Sequence, residues 1–147
     1  MPELPSAVLF ACTSNAVRSP MAAALLRHYH GRRIFVDSVG IRIGEPDGFM
    51  IAVMDELGID MTKHQSKTFE QLEDDFFDVV ISLSPEAQHK AVDMTRTNAC
   101  EVEFWNTFDP SMAEGNRDTR LDAYRAVRDE VMRKILKRFP LQLRPNL

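Results

Sequence analysis

The chain has 147 residues, 44% of them apolar and 27% charged, which suits one globular domain spanning 1–147 around one core. Eighteen basic and 22 acidic residues leave a net charge of −4, which argues against nucleic acid or an anionic membrane surface as the main partner. Two cysteines, Cys12 and Cys100, are too few for a disulfide framework and fit a cytoplasmic, reducing setting.

The opening "MPELPSAVLFAC" has no basic n-region and only a short apolar run, so neither a signal peptide nor a membrane span is expected. Ala7 to Ala11 reads as a short buried strand. Pro20 to His30 reads as a helix, with Ser19 as its N-cap and Pro20 in the first position, where a missing N–H costs nothing. Arg33 to Val39 is the second expected strand, closed by Gly40. Gly48 to Leu57 is a helix with Gly58 as its C-terminal cap.

Asp78 to Ser84 reads as a third strand, Pro85 to Met94 as a helix and Cys100 to Trp105 as a fourth strand. The last helix runs from Thr119 to Phe139, with Leu121, Tyr124, Val127, Val131 and Ile135 as its apolar stripe. Pro140 ends it, and "LQLRPNL" reads as a loose tail. The "EQLEDDFFD" stretch reads as a solvated surface around Phe69, Leu72 and Phe76. Alternating strands and helices imply a three-layer α/β domain, a parallel sheet with helices on both faces. Ligands bind such sheets at the carboxyl ends of the strands, which is where Cys12 falls.

Between Cys12 and the Ser-Pro helix start lies a short polar link. Wrapped in front of a helix, its backbone N–H groups turn inward as an anion-binding nest, formed by Thr13, Ser14, Asn15, Ala16, Val17 and Ser19. The Gly-Lys-Ser/Thr ending of a nucleotide P-loop is absent. Here the link begins with a thiol and ends with a guanidinium. The field that attracts an oxyanion also favours a thiolate nucleophile at Cys12. Arg18 offers a bidentate fork to two oxygens of a tetrahedral anion. Asn15 tolerates a left-handed backbone, and Ser19 is in position to donate its hydroxyl to the sulfur. A strand-end cysteine is ordinarily only a small apolar filler, and a bare Cys-x5-Arg is a weak pattern. Its place between a buried strand and a helix start tips the balance toward chemistry. No metal or other cofactor is expected, since His28 and His30 face different sides of their helix. His64 reads as a surface or loop-bracing residue, Lys67 and Arg42 as solvated cations that flank the mouth, and Phe104 and Trp105 as core.

"CTSNAVRSP" resembles the phosphate-binding loop of the low-molecular-weight protein tyrosine phosphatases and of the arsenate reductases that share their fold. The resemblance continues through "DSVG", "GEPDG", "LGIDMTKHQSK" and "FDPSMAEG", and so covers almost the whole chain. It implies a four-stranded parallel sheet in the order 2-1-3-4. It also implies phosphomonoester hydrolysis, above all of protein phosphotyrosine, through a cysteinyl-phosphate. Cys12 would be the nucleophile, Arg18 the oxyanion clamp and Asp109 the general acid, in a monomer or weak dimer acting on a phosphorylated protein or small aryl phosphate. Three features depart from the family pattern. Val17 stands where many members carry a second cysteine, Ser111 and Met112 replace two aromatics, and "IRI" at 41–43 replaces an aromatic pocket wall.

Two rivals remain open. Arsenate is also tetrahedral, so reduction by an external thiol is compatible with the loop. Internal resolution by Cys100 is not expected, because it falls at the opposite strand end from Cys12 and two strands away, about 10 Å sideways. A non-catalytic phosphoresidue-binding module would keep the nest but needs neither thiol nor acid.

Overall fold

The computed structural model describes residues 4–73 and 76–141. Residues 142–147 of the expected tail, like Met1 to Glu3 and Asp74–Asp75, lie outside that range. Four strands, β1 (Ala7–Cys12), β2 (Phe35–Gly40), β3 (Val79–Ser82) and β4 (Glu101–Phe104), form one parallel sheet in the order β2-β1-β3-β4. The helices are α1 (Arg18–His30), α2 (Gly48–Asp55), α3 (Pro85–Met94) and α4 (Arg117–Arg138). No helix among the described residues is long and apolar enough to cross a membrane.

Side chains of β1 alternate between two cores. Val8, Phe10 and Cys12 face α1, α2 and α4, whereas Leu9 and Ala11 face Phe69, Phe77 and α3. Because both faces are covered, β1 is apolar throughout rather than alternating. The α4 stripe of Leu121, Tyr124, Val127, Val131 and Ile135 is buried as its spacing requires. Arg128 is buried with it. Its Nη1 donates to the Val53 carbonyl and to Glu56, each at 2.7 Å, which ties α4 to the end of α2.

Several sequence expectations need correction. Helix α1 starts at Arg18 with Val17 as N-cap, so Ser19 lies inside the first turn and its hydroxyl is used elsewhere. Pro20 remains costless there, since N–H groups of the first turn have no intrahelical acceptor. The second strand starts later because Gly31–Arg33 form a 3₁₀ turn. Phe77, not Phe76, anchors the acidic stretch: Phe76 is 87% exposed and Phe77 is buried. Phe104 lies on the edge strand and is exposed, while Trp105 packs near Phe10.

Ile135 is fully buried between α4 and the sheet layer. Ile135→Ala is expected to cost about 2–5 kcal/mol, read in a urea titration. Glu56, clasped by Arg125 and Arg128, is held down at about 2 from an ordinary 4.5. A depressed folded value stabilises the fold above the ordinary range, and that contribution disappears as pH falls through about 2. Glu56→Gln is therefore expected to flatten the acid limb of a stability–pH curve, most visibly at low salt.

Candidate active site

Strand β1 delivers Cys12 to the carboxyl edge of the sheet, and α1 begins at Arg18. The intervening link doubles back tightly enough that Asn15 adopts φ +50°, the left-handed region. Among the described residues it is the only non-glycine with positive φ. Two glycines let the link pack this closely. A Cβ on Gly40 would meet Asn15 N at 2.7 Å, and one on Gly44 would meet Ser14 O at 2.7 Å. Among the described residues, the N–H groups of Ser14, Asn15, Ala16 and Val17 donate to no protein acceptor, which leaves them available to an anion.

Asn15 is fully buried, and hydrogen bonds run from it in every direction. Its Nδ2 donates to Ser19 Oγ (2.8 Å) and Ser38 Oγ (3.0 Å), and its Oδ1 accepts from Lys67 N (3.0 Å). Its carbonyl oxygen is bonded by the His64 ring (2.8 Å) and accepts from Ser66 Oγ (2.9 Å). Of the two roles expected of His64 the structure gives it the loop brace, while Ser38 and Ser66 carry no local sequence signal for this role. Lys67 also pairs through Nζ with Asp37, at 2.5 Å, while its side chain stays 36% exposed.

Cys12 Sγ lies 2.9 Å from Ser19 Oγ. Asn15 already donates to that oxygen, so its single hydrogen goes either to the sulfur or to the Val39 carbonyl at 3.3 Å. A thiolate would take it. Arg18 is buried beside them. Its Nη1 donates to the Thr107 carbonyl (3.0 Å), and its Nη2 reaches Thr13 Oγ1 at 3.5 Å. Thr13 in turn donates to Ser84 Oγ at 3.1 Å, the residue that caps α3. The guanidinium is therefore fixed from both sides of the sheet edge.

Asp109 caps a single 3₁₀ turn, Pro110–Met112. Its Oδ1 accepts from Ser111 N (3.0 Å) and Ser111 Oγ (2.7 Å), leaving Oδ2 to face Arg18 Nη2 at 3.7 Å. A cavity of about 200 Å³ opens between these groups. Cys12, Ser14, Ala16, Val17, Arg18, Asp109 and Ser111 line it, with Gly44, Glu45 and Asp47 completing the wall. Thr13 and Ser19 stand behind this lining and support it.

Asp47 is a wall residue that the sequence reading missed. One of its oxygens caps α2 by accepting from Phe49 N and Met50 N, and the other accepts from Tyr124 OH at 2.7 Å. Burial, and then this carboxylate, push the Tyr124 hydroxyl well above its ordinary value. Among the described residues no aromatic lines the cavity: Ile41 and Arg42 donate backbone N–H groups to the Thr13 carbonyl, and Ile43 is exposed. Cys100 lies far from all this. Glu101 is level with Val79 and hence with Val8, at the opposite end of β1 from Cys12. Among the described residues no His, Cys, Asp or Glu group is arranged to hold a metal ion.

Comparison with known proteins finds a family model, described as low molecular weight phosphotyrosine protein phosphatase, matching residues 7–143. An arsenate reductase of Halalkalibacterium halodurans is 32% identical over 128 residues, covering 87% of this chain and 91% of that one. A solved arsenate reductase in its phosphate-binding state superposes with a TM-score of 0.69 at 28% identity, over 90% of this chain and 95% of the other. The YwlE arginine phosphatase of Geobacillus stearothermophilus gives a TM-score of 0.69 at 25% identity, over 89% and 88% of the two chains.

The Asn15 geometry separates backbone from side-chain effects. Asn15→Gly retains access to positive φ but loses the amide bonds, whereas Asn15→Ala loses both. Both variants are expected to bind phosphate more weakly, with Ala the worse, as read by phosphate protection of Cys12 against iodoacetate. Protection unchanged from wild type in both would show that the amide network does not shape the nest.

Proposed function

This chain belongs to the low molecular weight phosphotyrosine protein phosphatase family, and we propose that it hydrolyses phosphomonoesters, foremost protein phosphotyrosine, through a cysteinyl-phosphate. The observation that carries the reading is the meeting of three groups at one small cavity: the Cys12 sulfur, the Arg18 fork and the Asp109 carboxyl. A binding site for phosphate alone has use for the nest and the arginine, but not for a thiol and an acid.

The reaction follows from these positions in two steps. Cys12 Sγ attacks phosphorus, the S–P bond forms, and the ester P–O bond breaks. The loop amides and Arg18 hold the three non-bridging oxygens as they flatten toward the trigonal transition state. Asp109 gives its proton to the departing oxygen, because a phenolate is a poor leaving group. Water then attacks the cysteinyl-phosphate and Asp109 takes the water proton. Inorganic phosphate leaves, and the Ser19 hydroxyl receives the returning sulfur anion.

Arsenate reduction is the second reading, favoured by the name of the curated relative. It requires a thiol from outside the chain, because Cys100 sits at the far end of the sheet, where burial also pushes its thiol up. Comparing aryl phosphate hydrolysis with thiol-dependent arsenate reduction in one preparation decides between the two. Hydrolysis without arsenate turnover is expected. Arsenate reduction with negligible hydrolysis would overturn the proposal, and turnover of neither would indicate a binding module.

Asp109 gives the sharpest mechanistic test. Nitrophenolate departs with little help, whereas unsubstituted phenolate needs a proton. Asp109→Asn is expected to cost little on nitrophenyl phosphate but about 10²–10⁴-fold on phenyl phosphate. Cys12→Ser is expected to abolish turnover on both. An equal loss across a leaving-group series would reduce Asp109 to a loop former, with Asp118 and Glu114 the next acids to try.

A further inference from the structure

Two arginines beside the mouth have no part in the chemistry above. Arg117 and Arg120 lie in the first turn of α4, where a positive charge opposes the helix dipole. Arg125, Arg128 and Arg138 all pair with carboxylates, yet among the described residues neither Arg117 nor Arg120 is in an ion pair. Both guanidiniums are instead stacked on the Phe49 ring, 5.5 Å and 4.6 Å from its centroid. Arg120 Nε is buried there with no acceptor, so ring stacking rather than a hydrogen bond orients it. Asp118 shares their turn but, among the described residues, pairs with neither, so two cations at the positive end of the helix are unfavourable for the fold alone. They suit an anion that arrives from outside.

Their position relative to the cavity is fixed by shared neighbours. Phe49 lies two residues after Asp47, a wall residue, and donates its N–H to that carboxylate, and its ring packs 5.3 Å from that of Tyr124. The Tyr124 hydroxyl bonds Asp47 and lies in the fields of both Asp109 and Arg120. Helix α4 also packs on the Pro110–Met112 turn that Asp109 caps. The cavity wall itself carries Glu45, Asp47 and Asp109, so a second anion finds its cation outside the cavity and not within it.

We propose that Arg117 and Arg120 form a selectivity surface at the mouth that recognises acidic side chains flanking the phosphoresidue of a peptide substrate. This rests on the phosphomonoester reading and assigns its substrate class: phosphopeptides with acidic neighbours. The contacts are guanidinium to carboxylate, forked and charge-assisted, and they weaken as salt rises. Selection by flanking charge also gives the site a means of holding peptide without an aromatic wall around the phosphorylated ring.

The test compares two phosphotyrosine peptides that differ only in flanking glutamate or glutamine. It reads both turnover and protection of Cys12 from iodoacetate, followed by mass spectrometry. The glutamate peptide is expected to protect at a concentration roughly fivefold lower, an advantage that shrinks with added salt. Arg117→Gln is expected to remove part of the advantage, and Arg117→Gln/Arg120→Gln all of it, with phenyl phosphate turnover unchanged. Arg117 is exposed, so its single variant reports even where the double variant is unstable. Equal protection by the two peptides, or an advantage undiminished in Arg117→Gln, overturns the proposal. Protection that favours glutamate in a protein without turnover would refute the hydrolytic reading and support this surface. Turnover without the preference would do the reverse.

Discussion

Everything at the candidate site depends on holding one short link in a conformation it would not keep alone. Five hydrogen bonds converge on Asn15, two from its amide nitrogen, one to its amide oxygen and two to its carbonyl. They fix a left-handed backbone at the point where the chain must turn from strand to helix. That turn aims the amides of 14–17 at one spot and brings Ser19 under the Cys12 sulfur. Left-handed backbone costs roughly 1–2 kcal/mol for an L-residue, and the bonds to Asn15 offset it. Gly40 and Gly44 complete the constraint, since neither position has room for a Cβ.

The opposite wall is held by a separate set of contacts. Tyr124 and Arg128 on α4 reach Asp47 and Glu56 at the two ends of α2. Asp47 thereby becomes both a helix cap and a cavity wall, so the packing of α4 fixes the entrance. Arg18 joins the two sides, bonding the Thr107 carbonyl ahead of the acid turn while facing Asp109. The Cys loop belongs to the first quarter of the sequence and the acid turn to the last third. The parallel sheet brings them together at its carboxyl edge.

Much of this was legible in the sequence because the signals are local. The apolar run into Cys12, the left-handed tolerance of Asn15 and the long α4 stripe all follow from residue type and spacing. The strand order came from resemblance to a family, and the structure agrees with it. What was missed depends on distant contacts. Ser38 and Ser66 look like ordinary strand-end and loop serines until Asn15 is placed between them. Ser19 reads as an N-cap by local rules, but the helix begins one residue before it, although the expected contact of its hydroxyl with the Cys12 sulfur is present. Phe76 and Phe77 are indistinguishable in sequence, and only the packing of Phe77 into the core of Leu9, Val39 and Val80 decides which is buried. Phe104 reads as core because an edge strand has the same composition as a central one.

The central claim is that Cys12 forms a covalent phosphoryl intermediate within the Asn15-shaped nest. Oxygen-18 exchange tests it without reference to any particular substrate. A covalent intermediate formed reversibly from inorganic phosphate must carry water oxygen into phosphate, which phosphorus NMR resolves. The account predicts exchange in the unmodified protein, its loss in Cys12→Ser and its suppression in Asp109→Asn. A protein that hydrolyses aryl phosphate yet shows no exchange, or exchange that persists in Cys12→Ser, would contradict it.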